Sequence, residues 1–394
     1  MKDILLQGST GSIGISALSV ISEQKDRFRV VGLSAGHKEQ LLLEQASLLK
    51  PASVALLRPS DPKAFTLKAK SIGIKEVFTG QDAFRHQAEQ AMYDVMLNAV
   101  MGSAGVRPTI SSLERGKNVA LANKETLVAA GEIVMKCARE HDAAILPIDS
   151  EHSALQQCLV GESAPSVRKY WLTTSGGPFW GRSQESLVSI TSKDALAHPT
   201  WAMGPKITID SATLFNKGLE VIEACRLFDV SVDFVDVVRQ RESVVHSMIE
   251  FSDGSFKAQL SVPDMRLPIL YALTYPDRVE SHLVESHPAS FGALHFEAVD
   301  RQLYPCLELA FAAIRTGGTA PAILSAADEI AVQAFLAERI EFTDIPRVIR
   351  RTLESITIDS ATDVDVVMSA DEEARRAANE FIQSGEFARV QVSC

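Results

Sequence analysis

Short apolar runs alternate with amphipathic segments over the first third of the chain, and this alternation is the strongest constraint on its fold. The apolar runs lie at residues 4–7, 29–34, 53–57, 76–79, 94–100 and 118–122. The segments between most of them have the apolar spacing of helices. Repeated strand and helix in this order predict a parallel, doubly wound sheet. The predicted class of the N-terminal part is therefore α/β and Rossmann-like.

The first run leads into a glycine-rich turn, GSTGSIG at 8–14, and a helical pattern follows at 15–23. Glycines let the backbone approach a pyrophosphate, and the amides at a helix start attract its charge. The spacing is GxxGxxG instead of GxGxxG, so an ordinary tight turn is the alternative. Its place between a strand and a helix favours a dinucleotide site.

The end of the second run indicates which dinucleotide is bound. A site that prefers NAD usually carries an acid there for the ribose hydroxyls. This chain has Gly36, His37 and Lys38 instead. Positive side chains at this point favour a 2′-phosphate, so the predicted cofactor is NADPH. A solvated loop is the alternative for His37 and Lys38.

The apolar run at 143–148 stops abruptly at two carboxylates, Asp149 and Glu151. Their spacing allows both to face one cation, and the later segment 207–220 ends in a third acid, Glu220. We interpret these acids as a metal site at a domain junction. The alternative is a strand followed by a helix that Asp149 or Ser150 caps, with Glu151 near its positive end.

Three further positions are candidate ligand contacts. Lys124 follows the run at 118–122, and ligands bind at the carboxyl ends of parallel strands. Ser175 lies in a turn of small residues that suits an anion. Asn216 stands four residues before Glu220, so a helix would place both on one face. The alternatives are an exposed lysine, a plain turn and an asparagine helix cap.

Residues 198–205, HPTWAMGP, are bracketed by prolines and carry Trp201 and Met203 without periodic apolar partners. An apolar loop of this kind predicts a lid over the substrate, and a loop packed on a neighbouring element is the alternative. His246 lies in a predicted strand, where a hydrogen-bonded core histidine is the simpler interpretation.

A chain of 394 residues exceeds what one hydrophobic core usually organises. We predict an NADPH-binding domain at 1–149, an α+β catalytic domain with the metal site and lid at 150–276, a linker at 277–303 and a C-terminal helical bundle at 304–394.

Composition excludes several classes of function. A formal charge of −11 argues against non-specific binding to nucleic acids or anionic membranes. The five cysteines contain no CxxC pair and predict neither a disulfide framework nor a thiolate zinc site. No apolar run approaches the ~18 residues of a membrane span. We expect a cytoplasmic protein without nucleic-acid or membrane partners.

Seven segments, in order along nearly the whole chain, resemble the 1-deoxy-D-xylulose 5-phosphate reductoisomerase family. They are GSTGSIG at 8–14, LANKE at 121–125, PIDSEH at 147–152, TTSGGPF at 173–179, HPTWAMGPKITIDSATLFNKGLE at 198–220, SVVHSM at 243–248 and PDMR at 263–266. The resemblance implies a metal-dependent rearrangement and NADPH reduction of 1-deoxy-D-xylulose 5-phosphate to 2-C-methyl-D-erythritol 4-phosphate, in the non-mevalonate isoprenoid pathway. It also implies a homodimer.

The resemblance assigns a role to each matching position. It implies a divalent cation, Mg, Mn or Co, held by Asp149, Glu151 and Glu220. Catalytic roles fall on Lys124, Glu151 and His198. The phosphorylated sugar substrate would contact Lys124, Ser150, Glu151, Ser175, His198, Trp201, Ser211, Asn216, Lys217 and Glu220. NADPH would contact Thr10, Gly11, Ser12, Ile13, Gly36, His37, Lys38, Asn123, Glu125 and Gly204.

The chain departs from the family pattern at two places. Members often carry Lys-Asn where this chain has His37-Lys38, and many show a His-Pro pair within the stretch matching Arg239 to Glu242. Two other functions stay open. A semialdehyde-dehydrogenase-like oxidoreductase would need a nucleophilic cysteine beside a histidine. An NADP-binding sensor would need none of the three acids, so metal-dependent turnover separates it from an enzyme.

Overall fold

The computed structural model describes residues 1–196 and 204–387, and the chain packs as two compact units. The first unit comprises residues 1–126, 132–156 and 264–285, and the second comprises 127–131, 157–263 and the chain from 286 onward. Both units are therefore discontinuous in sequence, whereas the predicted domains are continuous segments.

The strands are β1 (Lys2–Gln7), β2 (Phe28–Ala35), β3 (Ser53–Leu56), β4 (Glu76–Thr79), β5 (Val95–Asn98), β6 (Asn118–Leu121), β7 (Ile145–Pro147), β8 (Val167–Thr174), β9 (Val235–Gln240), β10 (Val245–Phe251), β11 (Phe256–Leu260) and β12 (Phe296–Ala298). The helices are α1 (Ser12–Glu23), α2 (Glu39–Leu49), α3 (Pro62–Ser71), α4 (Ala83–Gln90), α5 (Val106–Glu114), α6 (Lys124–Glu140), α7 (Ser150–Leu159), α8 (Gln184–Leu187), α9 (Ser192–Ala195), α10 (Pro205–Ala212), α11 (Phe215–Leu227), α12 (Arg266–Thr274), α13 (Pro305–Thr316), α14 (Ala320–Leu336), α15 (Ile345–Ser355) and α16 (Val364–Gln383).

The first unit is built on a parallel seven-stranded sheet in the order β4-β3-β2-β1-β5-β6-β7. Its inner strands are rich in apolar residues because both faces are covered, as the full burial of β3 and β5 shows. Helix α12 returns late in the chain to pack against α1, β6 and β7. The predicted α/β class is confirmed, and the strand order reverses next to β1, where such folds bind nucleotides.

The second unit contains a five-stranded sheet in the order β11-β10-β8-β9-β12. Strands β8 and β9 run parallel, and the other neighbouring pairs are antiparallel. Strand β12 lies inside the segment predicted as a linker, 277–303, and it pairs with β9. It has three residues, too few to produce a visible alternation of apolar positions.

Helices α13 to α16 form the C-terminal helical part, as the apolar spacing predicts. Helix α14 is buried on almost every face, which suits its nearly continuous apolar sequence. Helix α16 begins at Val364, where the Asp363 carboxylate caps the amides of Asp365 and Val366. None of the described helices combines the length and the apolarity that a membrane crossing requires.

Candidate active site

The glycine-rich turn between β1 and α1 can be formed only with glycine at two of its positions. Gly8 has a φ of +86°, and a Cβ there would lie 2.3 Å from the Ala99 carbonyl oxygen. A Cβ on Gly14 would lie 2.3 Å from the Gly8 carbonyl oxygen. These contacts draw the turn tightly against the start of α1, as the sequence pattern predicts for a dinucleotide site.

The start of α1 is open to a ligand. Gly11 precedes the helix, so no side chain caps it, and both Gly11 and Ser12 are exposed. A Cβ on Gly11 would meet only the Gly8 carbonyl oxygen, at 3.5 Å, among the described residues. The turn therefore offers backbone amides and the positive end of a 12-residue helix to an anion.

Lys38 and the glycine turn lie together. The Lys38 ammonium donates a hydrogen bond to the Thr10 carbonyl oxygen at 3.3 Å. Gly36 lies just after β2 in open space, since a Cβ there would meet none of the described atoms within 4 Å. His37 is exposed. One amine and open space thus lie at the end of β2, where the sequence predicts a contact with the 2′-phosphate of NADPH.

The side chain of Asn123 makes hydrogen bonds to several groups around the start of α6. Its side-chain oxygen caps the amide of Thr126 at 2.9 Å, and its amide group donates to the carbonyl oxygens of Val100 and Gly102. The same amide group donates to the Glu125 carboxylate at 2.8 Å. Asn123 thereby fixes the first turn of α6, which carries Lys124.

Lys124 and Asp149 form a largely enclosed ion pair in the first unit. The ammonium of Lys124 donates to Asp149 Oδ2, and the two side chains are 10% and 15% exposed. On the other side of the carboxylate, Nδ1 of the fully buried His152 lies 3.5 Å from Asp149 Oδ1. Asp149 therefore has the Lys124 ammonium at one carboxylate oxygen and the His152 imidazole near the other.

Glu151, the acid that follows Asp149 by two residues, is held by contacts at the start of α7. Ser150 donates a hydrogen bond to Glu151 Oε2 at 2.5 Å, and the Glu151 amide donates to Asp149 Oδ1 at 3.2 Å. The second contact is a helix-capping bond, so the capping alternative considered for Asp149 holds geometrically. The capping bond uses Asp149 Oδ1, whereas Lys124 contacts Oδ2, so helix capping and a metal-ligand role are compatible.

In the second unit, the turn after β8 packs against the end of α10. Gly177 has a φ of +68°, and a Cβ there would lie 2.7 Å from the Ser211 carbonyl oxygen. The Ser175 carbonyl oxygen accepts a hydrogen bond from Arg239 Nε at 3.1 Å. Two of the predicted phosphate contacts, Ser175 and Ser211, are therefore carried by segments in direct contact.

Helix α11 begins directly after Leu214, whose φ of +57° turns the chain between α10 and α11. The Asn216 amide donates to Glu220 Oε1 at 2.5 Å, which places both residues on one helical face. The Lys217 ammonium donates to Glu220 Oε2, and these two side chains are 3% and 1% exposed. Asn216 Oδ1 is buried without a hydrogen-bond partner among the described residues, so it is available to a ligand.

The remaining predicted positions divide into two groups. His198, Trp201 and Met203 lie outside the described residues, and Gly204 precedes α10. His246 is a buried core residue of β10 whose Nε2 lies 3.0 Å from Ser261 Oγ, as its simpler interpretation predicts.

Two residues near these positions were not singled out from the sequence, His152 and Arg239. His152 lies in the segment PIDSEH, and its spacing of three from Asp149 was a usable signal once α7 was assumed. Arg239 had no comparable signal.

The three acids predicted as metal ligands have the side-chain chemistry that a hard divalent cation prefers. Asp149, Glu151 and Glu220 offer only carboxylate oxygens, the ligands that Mg²⁺ and Mn²⁺ prefer. Lysine ammonium groups already neutralise two of them, Asp149 and Glu220, at positions where a bound cation would supply positive charge. Burying carboxylates without such compensation would be costly.

Three family models match the chain over most of its length. Residues 4–131 match a model described as 1-deoxy-D-xylulose 5-phosphate reductoisomerase, and residues 145–228 match the C-terminal domain of that enzyme. Residues 260–377 match a model described as the DXP reductoisomerase C-terminal domain.

Individual relatives agree with these models. The chain is 47% identical over 376 residues to the 1-deoxy-D-xylulose 5-phosphate reductoisomerase of Listeria monocytogenes, covering 95% of this chain and 98% of the relative. It is 47% identical to that of Pelotomaculum thermopropionicum, covering 97% and 99%.

Two solved structures are closely similar. One is the reductoisomerase of Zymomonas mobilis in complex with NADPH, with 37% identity, a TM-score of 0.90 and coverage of 97% of this chain and 99% of that one. The other is a DOX-P reductoisomerase in complex with NADPH, fosmidomycin and magnesium, with 37% identity, a TM-score of 0.93 and coverage of 99% and 100%.

Proposed function

Because the chain belongs to the 1-deoxy-D-xylulose 5-phosphate reductoisomerase family, we propose that its two enclosed lysine–carboxylate pairs mark the active site of that enzyme. The protein converts 1-deoxy-D-xylulose 5-phosphate and NADPH, with one proton, into 2-C-methyl-D-erythritol 4-phosphate and NADP⁺. The site assignment rests on these two ion pairs, Lys124 with Asp149 and Lys217 with Glu220.

The three acids Asp149, Glu151 and Glu220 are the proposed metal ligands. A divalent cation held there would polarise the substrate ketone and make a neighbouring hydroxyl more acidic, which the rearrangement of the carbon skeleton needs. The hydroxyl of Ser150 donates a hydrogen bond to Glu151, and the imidazole of His152 lies 3.5 Å from Asp149 Oδ1. Such supporting contacts orient the ligands of metal sites and tune their affinity.

The lysines have a second role once the carboxylates have another counter-ion. The Lys124 ammonium is then available to the reacting end of the substrate, where it can stabilise negative charge on oxygen. The Lys217 ammonium is available to the substrate phosphate. Both amines are positioned beforehand by their pairing, so little rotamer freedom is lost when substrate binds.

The phosphate group has four proposed contacts in the second unit: Ser175, Ser211, Asn216 and Lys217. The contact of Gly177 with the Ser211 backbone supports this set, because it brings the turn after β8 against the end of α10. Binding energy from a phosphate remote from the reacting carbons can be used to align the substrate. His198 and Trp201 complete the proposed substrate contacts by family resemblance.

NADPH supplies the hydride, and its proposed site is the turn between β1 and α1. The diphosphate would lie on the amides of Gly11, Ser12 and Ile13, with Thr10 beside them. Lys38 would face the 2′-phosphate, which explains a preference for NADPH over NADH. Gly36, His37, Asn123, Glu125 and Gly204 are the other proposed contacts.

The protein is proposed to work in the cytoplasm as a homodimer without nucleic-acid or membrane partners. Family resemblance and the composition support this proposal. Light scattering of the purified protein across a dilution series tests the dimer. A mass that equals one chain at all concentrations would contradict it.

The described cysteines disfavour the thiol-based alternative. Cys137, Cys158, Cys225 and Cys306 are all buried, and none of them is in a disulfide. Burial raises the pKa of the Cys137 thiol to about 11 and that of Cys225 to about 12. A nucleophilic cysteine needs the opposite shift. A semialdehyde-dehydrogenase-like reaction therefore has no suitable nucleophile among them.

The decisive experiment follows the loss of NADPH absorbance with 1-deoxy-D-xylulose 5-phosphate, in the presence of Mg²⁺ or Mn²⁺ and again with a chelator. We expect metal-dependent oxidation that the substitution Glu220→Gln abolishes. The partly exposed acid Glu308 on α13 provides the control Glu308→Gln, which should keep full activity. Cofactor binding without turnover under either metal would contradict the enzyme assignment and support the sensor.

A further inference from the structure

One lysine of α10 joins two buried aspartates that the reaction itself does not use. Lys206 Nζ lies 2.5 Å from Asp210 Oδ2 on the same helix and 2.9 Å from Asp328 Oδ2 on α14. Asp210 is 2% exposed and Asp328 is fully buried. Both helices belong to the second unit. We name Lys206, Asp210 and Asp328 the α10 triad.

The charges of the α10 triad do not balance if both acids are ionised. One ammonium would then face two carboxylates in the protein interior, which is costly. Glu329 adds a further negative charge nearby, and Arg375 on α16 pairs with that residue at 2.7 Å. Asp371, also on α16, competes for the same guanidinium.

The second oxygen of each aspartate is informative. Asp210 Oδ1 and Asp328 Oδ1 are buried and have no hydrogen-bond donor among the described residues. The two carboxyl groups nevertheless lie within hydrogen-bonding reach of each other. A proton placed between them would satisfy both groups and would leave the triad neutral.

We propose that Asp210 and Asp328 share one proton, and that Asp328 is thereby a positioning residue for the reductoisomerase reaction, acting through α10 on the phosphate contact Ser211. The positional role rests on the proposed function, whereas the shared proton does not. Burial is the main cause that raises the pKa of both aspartates, and Asp328 is raised well above the usual range.

Helix α10 needs such an anchor. It has eight residues, too few to be stable by itself in water. Its buried side chains Ile209 and Ala212 pack in the core of the unit, and the α10 triad adds a polar bond to α14. Ser211 follows Asp210 directly, so a shift of α10 would move Ser211 relative to the turn that carries Ser175.

Because of the shared proton, the contact between α10 and α14 should weaken as pH rises. Acids with raised pKa values bind their proton more tightly in the folded chain than in the unfolded chain. Their contribution to stability is therefore complete at low pH and is lost as pH rises through the raised pKa. Above it, two adjacent carboxylates would face one ammonium, and α10 would loosen.

The other charged groups around Asp210 and Asp328 do not reverse this loss of stability with rising pH. Glu329 on α14 opposes ionisation of both aspartates, and the thiol of Cys306 on α13 is buried beside them. On α9, Lys193 and Asp194 are exposed, so solvent screens them. The face of Phe215 on α11 lies 5.7 Å from Lys206 Nζ and holds the ammonium by a cation–π contact.

The substitution Asp328→Asn tests the proposal because it keeps the shape of the side chain. Its amide can donate a hydrogen bond to Asp210 Oδ1, as the shared proton does, and the amide cannot ionise. We expect kcat/KM of the native protein for the phosphorylated substrate to fall on the alkaline side, by up to about 100-fold if Ser211 shifts by an ångström. Asp328→Asn should lack that fall.

The neighbouring acid supplies the matched control. Glu329→Gln removes a carboxylate one residue away that is outside the α10 triad. It should keep an alkaline fall, moved to lower pH because Glu329 opposes ionisation of both aspartates. An Asp328→Asn protein that loses activity at the same alkaline pH as the native protein would overturn the positioning role.

Infrared spectroscopy tests the shared proton without substrate, metal or cofactor. The difference spectrum between native and Asp328→Asn protein at neutral pH should contain the carbonyl band of a protonated carboxylic acid. The difference between native and Asp210→Asn protein should contain the same band. Folded proteins whose difference spectra lack it would overturn the proposal, whatever the activity assays show.

Thermal unfolding at several pH values is a further test of the shared proton. Asp328→Asn should become more stable relative to the native protein as pH rises, because it lacks the group whose ionisation destabilises α10. A stability difference independent of pH would overturn the shared proton. If Asp328→Asn does not fold, Asp210→Asn serves for the same comparison.

Discussion

The ammonium of Lys124 contacts Asp149 Oδ2 inside the first unit, where both side chains are largely shielded from solvent. In a metal-free chain this contact neutralises a carboxylate that we assign to the metal. The lysine and the metal therefore compete for one oxygen, and the competition has two measurable consequences.

Replacing Lys124 by Met should lower kcat and tighten metal binding together. Loss of a donor that stabilises developing negative charge costs about 100-fold or more in kcat. Mn²⁺ should bind more tightly to the variant, because the ammonium no longer occupies Asp149. Steady-state kinetics and a Mn²⁺ titration by electron paramagnetic resonance measure the two effects. Lys136→Met, an exposed lysine on the same helix, is the control. An unchanged kcat would remove Lys124 from the reacting end.

Much of this architecture was predictable from local sequence. A parallel sheet follows from apolar runs separated by helical spacing, and the glycine turn follows from Gly8 and Gly14, whose missing Cβ atoms the packing requires. The Asn216–Glu220 contact follows from helical geometry alone. Most of these features depend on residues close together in the chain, although the close approach of Gly8 is to the distant Ala99.

The contacts that could not be predicted from the sequence join segments that are far apart in the chain. Arg239 reaches Ser175 because β8 and β9 pair in parallel with Thr174 opposite Arg239, a register that neither strand encodes alone. Lys206 meets Asp328 because α10 packs on α14, although 122 positions separate the two residues in sequence. Helical spacing identifies buried faces, but it does not say which two faces meet.

Two glycines of the proposed cofactor site should respond differently to substitution by alanine. Gly14→Ala places a Cβ against the Gly8 and Ser9 backbone and should lower the free energy of unfolding by about 3 kcal/mol through overpacking. Gly36→Ala meets none of the described atoms and should leave the melting temperature unchanged. If NADPH lies there, the same change should raise the KM for NADPH. Calorimetry and cofactor titration separate the effects, and unaltered NADPH binding in Gly36→Ala would place the cofactor elsewhere.

Lys38 should set the preference for NADPH over NADH. Lys38→Gln removes a charge-assisted hydrogen bond to the 2′-phosphate, worth about 1.5–3 kcal/mol, so the preference should fall roughly 10- to 100-fold. The KM for NADH should change little, because that cofactor has no 2′-phosphate. Lys70→Gln on α3 is an exposed lysine for comparison. A preference equal to that of the native protein would assign the 2′-phosphate to another residue.

Arg239 should act on substrate binding although it lies on a strand. Its guanidinium holds the Ser175 carbonyl oxygen at 3.1 Å, pairs with Glu297 at 2.6 Å and lies 4.5 Å from the centre of the Trp180 ring. Arg239→Met keeps much of the apolar stem but releases the turn that carries Ser175. We expect the KM for 1-deoxy-D-xylulose 5-phosphate to rise about tenfold or more, because small displacements of binding groups are costly. The KM for NADPH should stay constant, since the turn is not among the proposed cofactor contacts.

The exposed neighbour Arg241 gives the control Arg241→Met, which also removes one positive charge. Equal effects of the two substitutions would indicate a general loss of positive charge and would contradict a specific role for the Arg239–Ser175 hydrogen bond.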